Sequence, residues 1–93
     1  MKVIGRTKLE DFKKGYPDAC SQIDSWVAEA QEAEWKTPRD IKQRYASASF
    51  LKENHVIFNI KGNKYRLNVK VDYENKIVLI KNVGTHNEYM KWK

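Results

Sequence analysis

The sequence predicts an α+β fold: an antiparallel sheet built from the second half of the chain, two N-terminal helices packed on one of its faces, and a short C-terminal helix. Three observations predict it. Apolar residues in the first half recur at helical spacing. From Asn54 onward they alternate with a period of two. The 93 residues, with 41% hydrophobic content and three tryptophans, suffice for one small core and not for two. Residues 1–93 are therefore expected to form a single domain, and no internal repeat or linker-like stretch interrupts them.

The opening MKVIG is short and apolar, as an initial strand would be. Thr7-x-x-Glu10 then reads as a capping box for a first helix carrying Leu9, Phe12 and Tyr16 on one side. Gly15-Tyr16-Pro17 ends that helix, and Pro17 suits the start of a second because the amide hydrogen it lacks has no partner in a first turn. In the second helix Ile23, Trp26, Val27, Ala30 and Ala33 share one face, while Asp24, Glu29 and Glu32 lie elsewhere on the wheel. Such an aromatic and alanine stripe is core packing rather than a cofactor site. Thr37 as N-cap and Pro38 in the first position predict one short further turn of helix toward Arg44. Tyr45 to Leu51 has no clear period and reads as a surface connection.

VIFNI, then Lys61-Gly62-Asn63-Lys64, then YRLNVKVDY form a hairpin signal with glycine first in the turn. Centring the turn on Gly62-Asn63 sets Ile60 opposite Tyr65, Phe58 opposite Leu67 and Val56 opposite Val69, an apolar face. The other face then presents Asn59 beside Arg66 and His55 beside Lys70. Counting back from a second turn at Glu74-Asn75 pairs Val71 with Val78, Val69 with Ile80 and Arg66 with Val83 on the strand KIVLIKNV. Thr85-x-x-Glu88 closes the pattern as a capping box for a last helix, which puts His86 in its first turn and His86 and Tyr89 on one side of it. Arg66, His86 and Tyr89, distant in sequence, are thereby brought toward one place. The pair His86/Tyr89 can face core or substrate, and Arg66 can equally serve in a salt bridge with Asp72 or Glu88.

Composition narrows the classes of function. Cys20 is alone, so neither a disulfide framework nor a cysteine metal cluster is expected, and His55 and His86 do not make a metal site between them. No apolar run approaches membrane-spanning length and the N-terminus turns charged at once, which predicts a cytoplasmic protein without membrane contact. The net charge of +6 is uneven: residues 1–46 hold nine Lys+Arg against eight Asp+Glu, and residues 47–93 hold nine against four. The excess in the sheet-forming half points to a polyanion, most simply nucleic acid. A lysine-rich solvated surface has the same composition.

From GNKYRL in the hairpin and VGTHNEY at the strand-to-helix junction, together with the helix layout that includes WKTP, the chain resembles the HigB family of bacterial type II toxins within the RelE-like group. The similarity runs over nearly the whole chain. It implies a small ribonuclease that cuts messenger RNA, typically on the translating ribosome. It also implies restraint by a partner antitoxin of helix-turn-helix fold, through which alone operator DNA would be reached.

RNA is cut without metal or other cofactor when its own 2′-hydroxyl, deprotonated, attacks the adjacent phosphate and expels the next 5′-oxygen. The reaction calls for a base, an acid and donors for charge on the phosphate oxygens. Histidine is the side-chain type whose charge changes near neutrality, so His86 is the candidate proton carrier. Arg66 offers a planar, permanently charged fork for phosphate. Tyr89 is placed to donate a hydrogen bond or stack a base. Lys61, Lys64, Lys70, Lys91 and His55 are the candidate contacts to the flanking RNA. Two other readings fit the same charge and aromatic residues: an RNA-binding module that does not cut, and a basic face that docks an acidic partner.

Overall fold

The computed structural model describes residues 1–92. In chain order the elements are β1 (Lys2–Ile4), α1 (Arg6–Gly15), α2 (Cys20–Glu32), α3 (Pro38–Arg44), β2 (Ser49–Phe50), β3 (His55–Ile60), β4 (Tyr65–Asp72), β5 (Ile77–Thr85) and α4 (His86–Tyr89). The strands form one sheet in the order β1-β5-β4-β3-β2. The sheet is mostly antiparallel. Its exception is β1, which runs parallel to β5 at the edge, with Val3 opposite Val78. The long path from β1 through the helices back to β5 is the crossover that a parallel neighbour requires.

The first helix does not start where its sequence suggests. Gly5, in the left-handed region (φ 91°), is the N-cap; α1 begins at Arg6, so Thr7 already lies inside the helix and makes no cap. Tertiary packing decides this: a Cβ on Gly5 would lie 3.1 Å from the Ile80 carbonyl oxygen, so the chain can leave the sheet edge this closely only at glycine. Pro17 opens a single 3-10 turn, Pro17–Ala19, that runs directly into α2. Before α3, the Asp40 carboxylate accepts from the backbone amides of Lys36 (2.8 Å) and Thr37 (3.2 Å), so the expected helix start at Thr37-Pro38 is reinforced from inside the helix. Tyr45 to Leu51 is more than a surface connection. It contains the edge strand β2, which sets Ser49 opposite Ile57, and a buried Ala48. Two residues are too few to show a period.

The helices cover one face of the sheet. Leu9 and Phe12 of α1, Ile23, Trp26, Val27 and Ala30 of α2 and Ile41 of α3 are buried against Val56, Phe58, Leu67, Val69, Val71, Val78 and Ile80. Phe58 is the hub: the rings of Trp26, Tyr45 and Trp35 lie 5.2, 5.1 and 6.2 Å from it. Phe58→Ala is expected to cost about 3–5 kcal/mol of stability, a cavity effect that denaturant melts of parent and variant would measure.

The β3–β4 register is the one expected: Ile60 opposite Tyr65, Phe58 opposite Leu67, Asn59 opposite Arg66 and His55 opposite Lys70. Between β4 and β5 the expected pairs Val71–Val78 and Val69–Ile80 form, but Arg66 faces Gly84 rather than Val83. The cause is a β-bulge. Asn68 pairs with Asn82 and Val69 with Ile80, so Lys81 is an extra residue and everything beyond it is displaced by one.

A candidate RNA-cleavage site on the open face

Along β4 the burial alternates, with Tyr65, Leu67, Val69 and Val71 buried toward the helices and Arg66, Asn68, Lys70 and Asp72 on the uncovered face. The bulge places Gly84 on that same face directly opposite Arg66, and α4 folds over it. A Cβ on Gly84 would sit 2.8 Å from Glu88 Oε1 and 3.1 Å from Glu88 Cβ. The helix start is held by the predicted capping box: Glu88 N–H donates to Thr85 Oγ1 (3.2 Å) and Thr85 N–H to Glu88 Oε1 (2.8 Å). Gly84→Ala is therefore expected to push α4 off the sheet while leaving the core intact. Tyr89 near-ultraviolet signals and cleavage should change together, with the melting temperature nearly unmoved.

This arrangement brings the three candidate catalytic residues together. The Arg66 guanidinium carbon lies 5.5 Å from the centre of the Tyr89 ring, a cation–π contact, and the His86 and Tyr89 ring centres are 6.2 Å apart. Trp92 meets Tyr89 edge-on at 5.7 Å. Arg66 Nη1 donates to the Asn63 carbonyl (3.1 Å), which tethers the guanidinium at the hairpin end of the sheet. Its rival ion-pair partners are otherwise occupied: Asp72 accepts from Asn75, and Glu88 caps α4. Among the described residues no carboxylate forms an ion pair with Arg66, which leaves its charge for an external anion. His86 is exposed, and its backbone N–H donates to the Lys64 carbonyl (3.2 Å).

The candidate RNA contacts divide. Lys91 is exposed just beyond α4, and Lys70 is exposed on the open face. His55, half-buried beside Lys70, lies with its Nδ1 3.3 Å from Asn68 Oδ1, and Asn68 Nδ2 donates to Asn82 Oδ1 (3.2 Å). Four residues along a strand separate Lys70 from Arg66, about 13 Å, so His55 and Lys70 are outside the cluster and on the path a bound strand would follow. Lys61 and Lys64 sit at the hairpin tip. The Lys61 amide donates to Gln22 Oε1 of α2, and Lys64 Nζ forms an ion pair with Asp18 (2.8 Å), turning toward the helices. The Lys64 ammonium and the Tyr65 hydroxyl together hold the Asp18 carboxyl below the ordinary aspartate range.

Gly84, Asn82 and Asp18 were not legible as site residues. Only a one-residue bulge brings the first two to the open face, and Asp18 is 46 residues from Lys64. A groove of about 320 Å³ on the helix side is lined by Trp26, Glu29, Arg44 and Asn59 among others, and none of Arg66, His86 and Tyr89 lines it. Its charges are already used. Glu29 accepts from the Tyr45 hydroxyl and pairs with Arg44, and both contacts hold it below the usual carboxylate range. Burial, then the Glu29 contact, pushes the Tyr45 hydroxyl up. Among the described residues no three His, Cys, Asp or Glu side chains are grouped to hold a metal ion, and no helix is long and apolar enough to cross a membrane.

The result is a basic α+β domain in which Arg66, on the sheet face away from α1 and α2, meets the histidine and tyrosine of the short C-terminal helix. The chain belongs to the HigB toxin family, the RelE-like toxic component of a toxin–antitoxin system, which residues 19–92 match. Related proteins include the mRNA interferase toxin HigB of Escherichia coli strain K12, 28% identical over 91 residues, covering 96% of this chain and 88% of the relative. The mRNA interferase HigB of Shigella flexneri matches to the same extent. That of Escherichia coli O6:H1 is 22% identical over 93 residues, covering 98% of this chain and 90% of the relative.

Proposed function

We propose that this protein is a toxin endoribonuclease that cleaves messenger RNA on the translating ribosome, in the bacterial cytoplasm, by metal-free attack of the RNA's own 2′-hydroxyl. The observation that carries the reading is the meeting of Arg66, Tyr89 and His86 on the open face of a chain of this family. The scissile phosphate sits against the Arg66 fork, which stabilises the charge that grows on its non-bridging oxygens. His86 carries a proton, either from the 2′-hydroxyl or to the departing 5′-oxygen. The products are a 2′,3′-cyclic phosphate and a 5′-hydroxyl. Tyr89 orients both groups and offers a ring face for a splayed base, while Lys70, Lys91 and His55 hold the strand on either side.

Membership of a toxin–antitoxin family brings a cognate antitoxin with it, and we assign that partner a helix-turn-helix fold that carries any contact with operator DNA. The test is expression. The chain alone should arrest bacterial growth with message ends mapping inside coding regions, and co-expression of the neighbouring reading frame should restore growth. Normal growth with intact messages, at verified soluble expression, would sink the proposal and leave a non-cutting RNA-binding module.

A further inference from the structure

On the far side of the sheet from the Arg66 cluster, a carboxylate ties the hairpin end to the helical layer. Asp18, in the turn between α1 and α2, accepts from the Tyr65 hydroxyl (2.7 Å) through Oδ1 and from Lys64 Nζ (2.8 Å) through Oδ2. Lys64 and Tyr65 immediately precede Arg66. The Lys64 carbonyl accepts the backbone N–H of His86, and Tyr65 lies directly opposite Thr85, the N-cap of α4. A single carboxylate thus grips the two residues whose backbones fix both halves of the cluster. The Tyr65 ring is itself held, with Phe12 edge-on at 5.3 Å and Tyr16 at 5.2 Å, so its hydroxyl is aimed at Asp18 by packing rather than by the hydrogen bond alone. Gln22, one helical turn further on, takes the Lys61 amide and steadies the same hairpin tip.

We propose that Asp18 is a positioning residue of the RNA-cleavage site, setting the separation of Arg66 and His86 through Tyr65 and Lys64 without touching the substrate. The proposal rests on the active-site reading above. Arg66 belongs to the sheet and His86 to α4, and the two are joined through the Lys64–Tyr65 corner and the Thr85 junction opposite it. If that corner drifts, the guanidinium and the imidazole lose their common phosphate, and small misplacements are costly to a reaction that depends on alignment. The substrate-binding lysines on the open face are unaffected, so the loss falls on turnover and not on affinity.

The test is steady-state cleavage of a defined message on programmed ribosomes by the full chain and by Asp18→Ala, Tyr65→Phe, their double variant and Arg66→Ala, at a temperature where circular dichroism shows all to be folded. Tyr65→Phe keeps the buried ring and removes only the hydroxyl, so it reports on the link if Asp18→Ala folds poorly. Each single change is expected to lower kcat about tenfold at unchanged KM. The double variant should lose no more than Asp18→Ala alone, because that change already removes the Tyr65 contact. Parent kcat in both single variants, a rise in KM alone, or losses that multiply in the double variant would overturn the clamp. If Arg66→Ala is impaired in the same assay, the active-site reading survives that failure. Parent activity in Arg66→Ala would overturn the active site and the clamp with it.

Discussion

Arg66→Ala is expected to lower the single-turnover rate of message cleavage on the ribosome by about a hundredfold or more, the usual consequence of removing a donor aimed at developing phosphate charge. The protein should fold as before. Arg66 is half-buried on the open face, and what it gives up within the chain is a hydrogen bond to the Asn63 carbonyl and the stack on Tyr89. Neither contact is in the core, so circular dichroism and the melting temperature serve as controls. Arg66→Lys separates two parts of the role. It keeps the positive charge but loses the planar fork and much of the ring contact, and an intermediate rate is expected. Parent rates in a folded Arg66→Ala protein would remove this residue from the site.

His86→Ala is expected to cost a similar factor, about a hundredfold, through loss of proton transfer. Here too the fold is insulated. Thr85 and Glu88 still satisfy each other's backbone amides, and the His86 N–H to Lys64 contact is made by the backbone, which alanine retains. Because Arg66 and His86 act on one transition state, the double variant should lose less than the product of the separate losses. A product-sized loss would mean that the two residues act independently of each other. The readout is the same ribosome-bound message, with the 5′-hydroxyl and cyclic phosphate ends checked on the products.

Where the determinants of the fold are local, they are visible in the sequence. The Gly62-Asn63 turn fixed the β3–β4 register residue by residue, and Thr85/Glu88 formed the cap that its spacing implied. Determinants that lie in packing are not visible. Thr7/Glu10 has the same spacing as Thr85/Glu88, yet α1 starts at Arg6 because Gly5 leaves the sheet against Ile80. The parallel placement of β1 depends on which edge of the sheet is left open, and β2 is too short to announce itself. In the site, residue chemistry and strand counting were enough to bring Arg66, His86 and Tyr89 to one end of the sheet. That Lys64 is tied back to Asp18 was out of reach, because lysines look alike in sequence and their partners are chosen by tertiary geometry.

The bulge at Lys81 divides β5 into two stretches that are out of phase with each other. Before it, the even-numbered Val78 and Ile80 point into the core; after it, Val83 takes that role and Asn82 and Gly84 come to the working face. One strand therefore answers to two masters, and the extra residue lets each keep its own alternation. The first stretch is paired with β1 and packed into the apolar core, while the second carries Gly84 and Thr85, over which α4 is seated. Deleting Lys81 would rejoin the two phases into an unbroken ladder. Core pairing from Ile77 to Ile80 would be preserved, and Asn82, Val83 and Gly84 would keep their places opposite Asn68, Leu67 and Arg66; what would be lost is the local bend and added twist that a bulge gives its strand. The join between a stable sheet and a usable site is thus made by the bend at Lys81 together with the bare glycine at position 84 that lets α4 lie close.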